Sequence, residues 1–218
     1  MKRNFFALMI MLVALALSGC GGGDDRDLVV RDIFSDETVD GDVRRDPGGA
    51  LTVTQVSRDA VQSLLAGIDP VTDEEYRAFL DFPIASIPRT ARINSATLEI
   101  VINEITLVSP TATIPIRIDL VSFAPPLVGS DFDRTLLPPL ATMTIIPPIS
   151  PADVDDGIGA VDSVTVDVTA LLLEARRRGL VNFQIRILED LGFVLPGLIE
   201  IDDSPNPDRA PLLTVSYF

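Results

Sequence analysis

The chain contains no histidine and no tryptophan, and it has a single cysteine. Without histidine, a serine triad of the usual kind has no general base, and a histidine-ligated metal site cannot be assembled. One cysteine cannot form an internal disulfide, so the fold must rest on its core, which a body of this length can supply. Lysine is scarce as well: Lys2 stands alone, and every later basic residue is arginine. Acidic residues outnumber basic ones by 32 to 17, for a formal net charge of −15. A surface of that sign repels phosphate backbones, which excludes nucleic acid as an expected partner. Past the first twenty residues, no apolar run approaches the roughly 20 residues of a membrane-spanning helix.

What is present begins with "MKRNFFALMIMLVALALSGCGGGDD". Lys2 and Arg3 make a positive start, and the chain is apolar from Phe5 to Leu17. That stretch is short for a bilayer span and fits the apolar segment of a secretory signal, about 7–15 residues. It ends in Leu17-Ser18-Gly19-Cys20, which resembles the lipobox of bacterial lipoproteins. The resemblance implies cleavage before Cys20, attachment of a diacylglycerol to its thiol and acylation of the new amino terminus. Small Ser18 and Gly19 let a peptidase close on the backbone, and a thiol is the side chain an enzyme can alkylate. Several acyl chains are needed because one binds membranes only marginally. Gly21, rather than aspartate, follows the cysteine, which by the lipoprotein sorting rule points to the outer membrane. The expected organisation is a signal peptide over 1–19, a lipidated glycine-rich tether over 20–27, and one domain over 28–218.

In that body, apolar and polar residues alternate with the period of half-buried strands. Tyr76, Ala78, Leu80 and Phe82 share one face, as do Ala96, Leu98, Ile100 and Ile102. Ile114, Ile116, Ile118 and Leu120 form a third set, with Pro115 on the other face suggesting an edge strand or bulge. Val164, Val166 and Val168, then Phe183, Ile185 and Ile187, continue the pattern. "LVVRDIF" reads as an edge strand, and "LATMTII", "GLIEI" and "PLLTVSYF" add further strands. Two segments read as helical: "TALLLEARRRG", capped by Thr169 and stopped by Gly179, and "SRDAVQSLLAG", capped by Ser57 and stopped by Gly67. The arginines Arg176 to Arg178 complement the negative end of the first. The expected fold is all-β, a jelly-roll-like antiparallel β-sandwich of about eight to ten strands with one or two short helices.

Three segments carry a further likeness: "EYRAFLDFPIASIPRTARINSATLEIVI", "VTVDVTALLLEARRRGLVNFQIRI" and "SPNPDRAPLLTVSYF". Their order resembles the DNRLRE-type domains of bacterial surface and secreted proteins, relatives of the disaggregatase-related repeats and of jelly-roll carbohydrate-binding modules. The likeness runs from about Asp40 to Phe218, although the name-giving hexapeptide is absent. It implies a cell-surface sandwich serving as an accessory module, with no catalytic residues to carry over.

For chemistry, the expectation is a non-catalytic binding or structural module, anchored at Cys20, with an envelope protein as partner or, alternatively, a polysaccharide. A glycoside hydrolase would need two carboxylates set about 5–10 Å apart in a cleft, and nothing in the sequence selects such a pair. Asp153, Asp155 and Asp156, in "DVDDG", are the candidate ligands for a structural calcium, which wants six to eight oxygens. Asp202, Asp203 and Asp208 form a second acidic cluster. Sugar binding uses exposed rings, for which Phe79, Phe123, Phe132 and Phe193 are the candidates, core or loop packing being their simpler role. The loop residues Leu127, Val128, Leu136, Leu137, Ile145 and Ile146 fit either a protein contact or burial under the sheet.

Overall fold

A computed structural model describes residues 27–55, 62–158, 161–190 and 195–218. Cys20 and its flanking lipobox lie outside the described residues, as do Ser57 and Phe193. Within them the chain forms thirteen strands and one α-helix. In order these are β1 (Val29–Phe34), β2 (Gly41–Arg45), β3 (Leu51–Gln55), β4 (Ser63–Ile68), β5 (Glu75–Pro83), β6 (Ile93–Ile100) and β7 (Ile102–Leu107). Then come β8 (Ile116–Val121), β9 (Ala141–Thr144), β10 (Val164–Asp167), α1 (Thr169–Arg177), β11 (Asn182–Glu189), β12 (Gly197–Asp202) and β13 (Leu212–Tyr217).

The strands make two antiparallel sheets, an all-β sandwich. The smaller runs β1-β13-β6-β10; the larger runs β7-β12-β4-β5-β11-β8-β9, with the β2–β3 hairpin joined to β5. Period-2 alternation decides what lies between them. Ala78, Leu80 and Phe82 of β5, Ile116, Ile118 and Leu120 of β8, and Phe183, Ile185 and Ile187 of β11 meet Leu98 and Ile100 of β6 and Leu213 and Val215 of β13 in one core. Ile100 and Ile102 keep the same inward alternation while the chain crosses from one sheet to the other at Val101. Two strands therefore replace the single one expected there. In α1, Leu171, Leu172 and Ala175 are buried in the core, and Gly179 at φ +75° ends the helix.

Three local expectations are corrected. Residues 63–68 are strand β4 and not the end of a helix from Ser57 to Gly67, because pairing with β12 overrides the helical preference of the leucines. Thr169 is the first helical residue and not the cap. Its amide donates to Asp167 Oδ1 at 2.9 Å, while its hydroxyl accepts from the Ala96 amide at 2.9 Å, tying α1 to β6. Pro115 marks no edge: it sits just before β8, which lies between β11 and β9, and its carbonyl accepts from the Asp190 amide.

The centre of the larger sheet is buried on its outer face too. Val43, Phe79, Val121, Phe123, Leu127 and Phe132 form a second, smaller core there under the β2–β3 hairpin and the loop after β8. Phe79 meets Phe123 edge-on with centroids 5.6 Å apart. Phe79, Phe123 and Phe132 therefore pack internally, the simpler of the roles expected for them. Beside them, Arg186 is buried and donates to Asp119 at 2.8 Å and to the carbonyls of Asp131 and Leu137. The Arg186 bonds to those two carbonyls fasten the loop to the sheet.

Candidate acidic site at the end of β12

Strand β12 ends at Asp202, Asp203 follows it directly, and consecutive residues of an extended chain point to opposite sides. Each acid consequently meets a different environment. Asp202 faces Arg209, which a tight turn on Asn206 brings back: the Arg209 and Ala210 amides donate to the Asn206 carbonyl, and the Asp208 amide to its Oδ1. The Arg209 guanidinium then donates to Asp202 Oδ2, Asp155 Oδ2 and Asn103 Oδ1, each at 2.6 Å. One cation thus clamps the turn after β12 to β7 and to the loop before β10.

The expected calcium residues lie in that loop, but are not gathered together. Asp153 Oδ2 accepts the amide and hydroxyl of Ser150, both at 2.7 Å, closing a single helical turn. Asp155 and Asp156 instead come within 4.8 Å of Asp162. Their oxygens already have partners: Asp155 takes Arg209 and the amides of Gly157 and Asp162, and Asp156 takes the amide of Ile158. The Arg209 contact and the Asp162 amide hold the Asp155 carboxyl below the usual carboxylate range, so it stays ionised. Asp208, of the second cluster, is exposed at the tip of the turn.

Asp203 is on the other side of β12. Its amide donates to the Gln62 carbonyl at 2.8 Å, and Ser35 reaches its Oδ1 at 3.5 Å. Across from it stands Asp40, in the turn between β1 and β2 that Asp36 organises by accepting the Val39 and Asp40 amides. Asp40 Oδ1 accepts the Asp81 amide at 2.6 Å. The two carboxyl groups lie close to each other, with relative exposures of 0% and 1%. The remaining oxygen of each has no hydrogen-bond partner, nor do Glu37 Oε2 and Ser204 Oγ, all buried. Burial, with Asp203 opposite, pushes the Asp40 carboxyl well above its ordinary value. Burial raises Asp203 to about 7, the charges of Glu37 and Asp202 adding to it. A cleft of about 420 Å³ opens beside the pair, lined by Phe34, Glu37, Pro83, Asp203, Pro205 and Pro207 among others.

The sequence pattern singles out Asp203 as one acid of a cluster and does not single out Asp40. The available signal was "DGD" at the entry to a strand, where alternation sends Asp40 and Asp42 to one side together. Comparison with known proteins finds no matching family model and no matching curated relative.

Proposed function

We propose that this chain is a lipid-anchored, non-catalytic module of a bacterial cell envelope, held at the outer membrane through Cys20 and binding a protein partner with its loops. The observation that carries the binding role is how its apolar loop residues divide. Leu127, Phe132 and Ile145 are buried and seat the loops, while Val128, Leu136 and Ile146 are 47%, 68% and 86% exposed. Apolar tips on loops fixed from below lose little entropy on contact, which favours association.

Stacking on a sugar asks for adjacent exposed rings. Among the described residues only Phe34 and Phe218 are exposed aromatics. The β1–β13 register pairs Val29 with Tyr217 and Phe34 with Leu212, so these two rings stand at opposite ends of the ladder, roughly 20 Å apart. That spacing favours the protein partner over the polysaccharide.

The test is photocrosslinking in intact envelopes from position 146 or 136, with the same probe at exposed Arg31 as a control. One discrete adduct from the loop positions, lost on Leu136→Asp with Ile146→Asp, is the expected result. An adduct pattern indifferent to those substitutions would remove the loops as the binding surface. Cys20→Ser tests the anchor separately, by moving the protein from the membrane to the soluble fraction.

A further inference from the structure

We propose that the facing carboxylates of Asp40 and Asp203, with the hydroxyls of Ser204 and Ser35 and the charge of Glu37, form a binding site for one divalent cation of the calcium class. The site ties the β1–β2 turn to the turn after β12, and it is independent of the partner-binding reading. Two carboxylates buried face to face, each with an oxygen that no donor reaches, are costly unless an opposite charge lies between them. No arginine supplies it: among the described residues none of the ion pairs involves Asp40, Asp203 or Glu37. The clamp residue Arg209 is engaged with Asp202, across the strand.

A shared proton would join the two aspartates, but it would leave Ser204 Oγ, beside Asp203 on the cleft, buried without a partner. A hard dication meets the two aspartates and the hydroxyls together, since it takes only oxygen ligands and accepts irregular geometry at 2.3–2.6 Å. Glu37 lines the adjoining cleft and contributes charge at the rim, and the cleft admits the waters that complete coordination. The choice of calcium over magnesium follows from this donor set: mixed carboxylates and hydroxyls on two separate turns do not enforce an octahedron. The exposed group Asp155, Asp156 and Asp162 differs in kind, its charge being met by Arg209 and by backbone amides.

The experiment uses the full chain in detergent at pH 7.5, with EDTA, calcium or magnesium, reading the thermal midpoint and the heat of calcium titration. At a hundred times its dissociation constant, calcium is expected to raise the midpoint by roughly 5–10 °C, with one site per chain. Asp203→Asn and Asp40→Asn should lose that rise and, in EDTA, melt above the unsubstituted protein because the repulsion is gone. Glu37→Gln, at a less buried position, should weaken calcium several-fold without altering the fold. Absence of any calcium effect would overturn the proposal. So would a rise that survives Asp203→Asn but disappears in Asp155→Asn. A midpoint that climbs on acidification to pH 5 while ignoring calcium would assign the pair to a shared proton instead.

Discussion

Glu189, at the end of β11, is buried, and burial raises it to about 7. The charge of Glu75 on β5 adds to the rise, and the amides of Gly197 on β12 and Ile68 on β4 partly offset it. The folded-state pKa therefore lies above the unfolded one, so the native state holds a proton that the unfolded chain releases. The penalty of ionising Glu189 is absent below about pH 4 and complete above about pH 7, and stability falls across that window as pH rises. Glu189→Gln should gain as much as about 3 kcal/mol at pH 8 and nothing at pH 4, measured by urea unfolding at both. An equal gain at the two pH values would mean that titration is not the cause. The Arg186–Asp119 pair has the opposite character, because it is buried and matched. Arg186→Met should cost about 1–3 kcal/mol by stranding the Asp131 and Leu137 carbonyls, and because Asp119 keeps Arg134 at 3.1 Å, adding Asp119→Leu should not recover that loss.

At the scale of elements, the tightest constraint is where β4 crosses β12. Gly67 has φ +121°, and a Cβ there would lie 2.1 Å from the Gly197 carbonyl oxygen. Gly179 also has positive φ, +75°, but nothing lies within 4 Å of its Cβ position. Gly67→Ala should therefore cost well over the roughly 1–2 kcal/mol of left-handed strain expected for Gly179→Ala. Chemical denaturation of the two variants measures the difference, and equal losses would show that the crossing relaxes. The same crossing explains what could be read from the sequence. Strands with one buried face, such as β6 and β13, declare themselves by alternation, and α1 does so by its apolar face and its glycine stop. Strand β4 does not, since "SLLAG" fits either period and only the distant β12 selects the strand. Strands β5, β8 and β11 carry acids and arginines on a face that looks solvated in the sequence, and the second core that covers them comes from remote loops. The Asp40–Asp203 pair is illegible for a related reason: each acid sits in an unremarkable acidic stretch, and only the antiparallel β1–β13 ladder brings the two turns together.

For the whole molecule, under the proposed lipid anchor, that ladder also sets which end lies nearer the membrane. The residues after the proposed lipid on Cys20 enter β1 at Val29, opposite Tyr217, while Ser35 at the far end of β1 bonds to the Pro211 carbonyl beside the acidic turns. The acidic site is thus displaced from Val29 by the length of β1, roughly 20 Å. With a net charge of −15 for the chain, holding Asp40, Asp155, Asp202 and Asp203 away from anionic headgroups lowers repulsion and leaves the turns open to the aqueous side. Cys20 is the only cysteine and the proposed lipidation would consume its thiol, so a second cysteine could then be labelled alone. Fluorophores at Leu28→Cys and Asp208→Cys, both exposed positions, report on the two ends. In vesicles carrying an acceptor dye in the bilayer, energy transfer should be strong from position 28 and much weaker from position 208. Equal transfer would place the sandwich on its side against the membrane, and the acidic turns could then contact the bilayer directly.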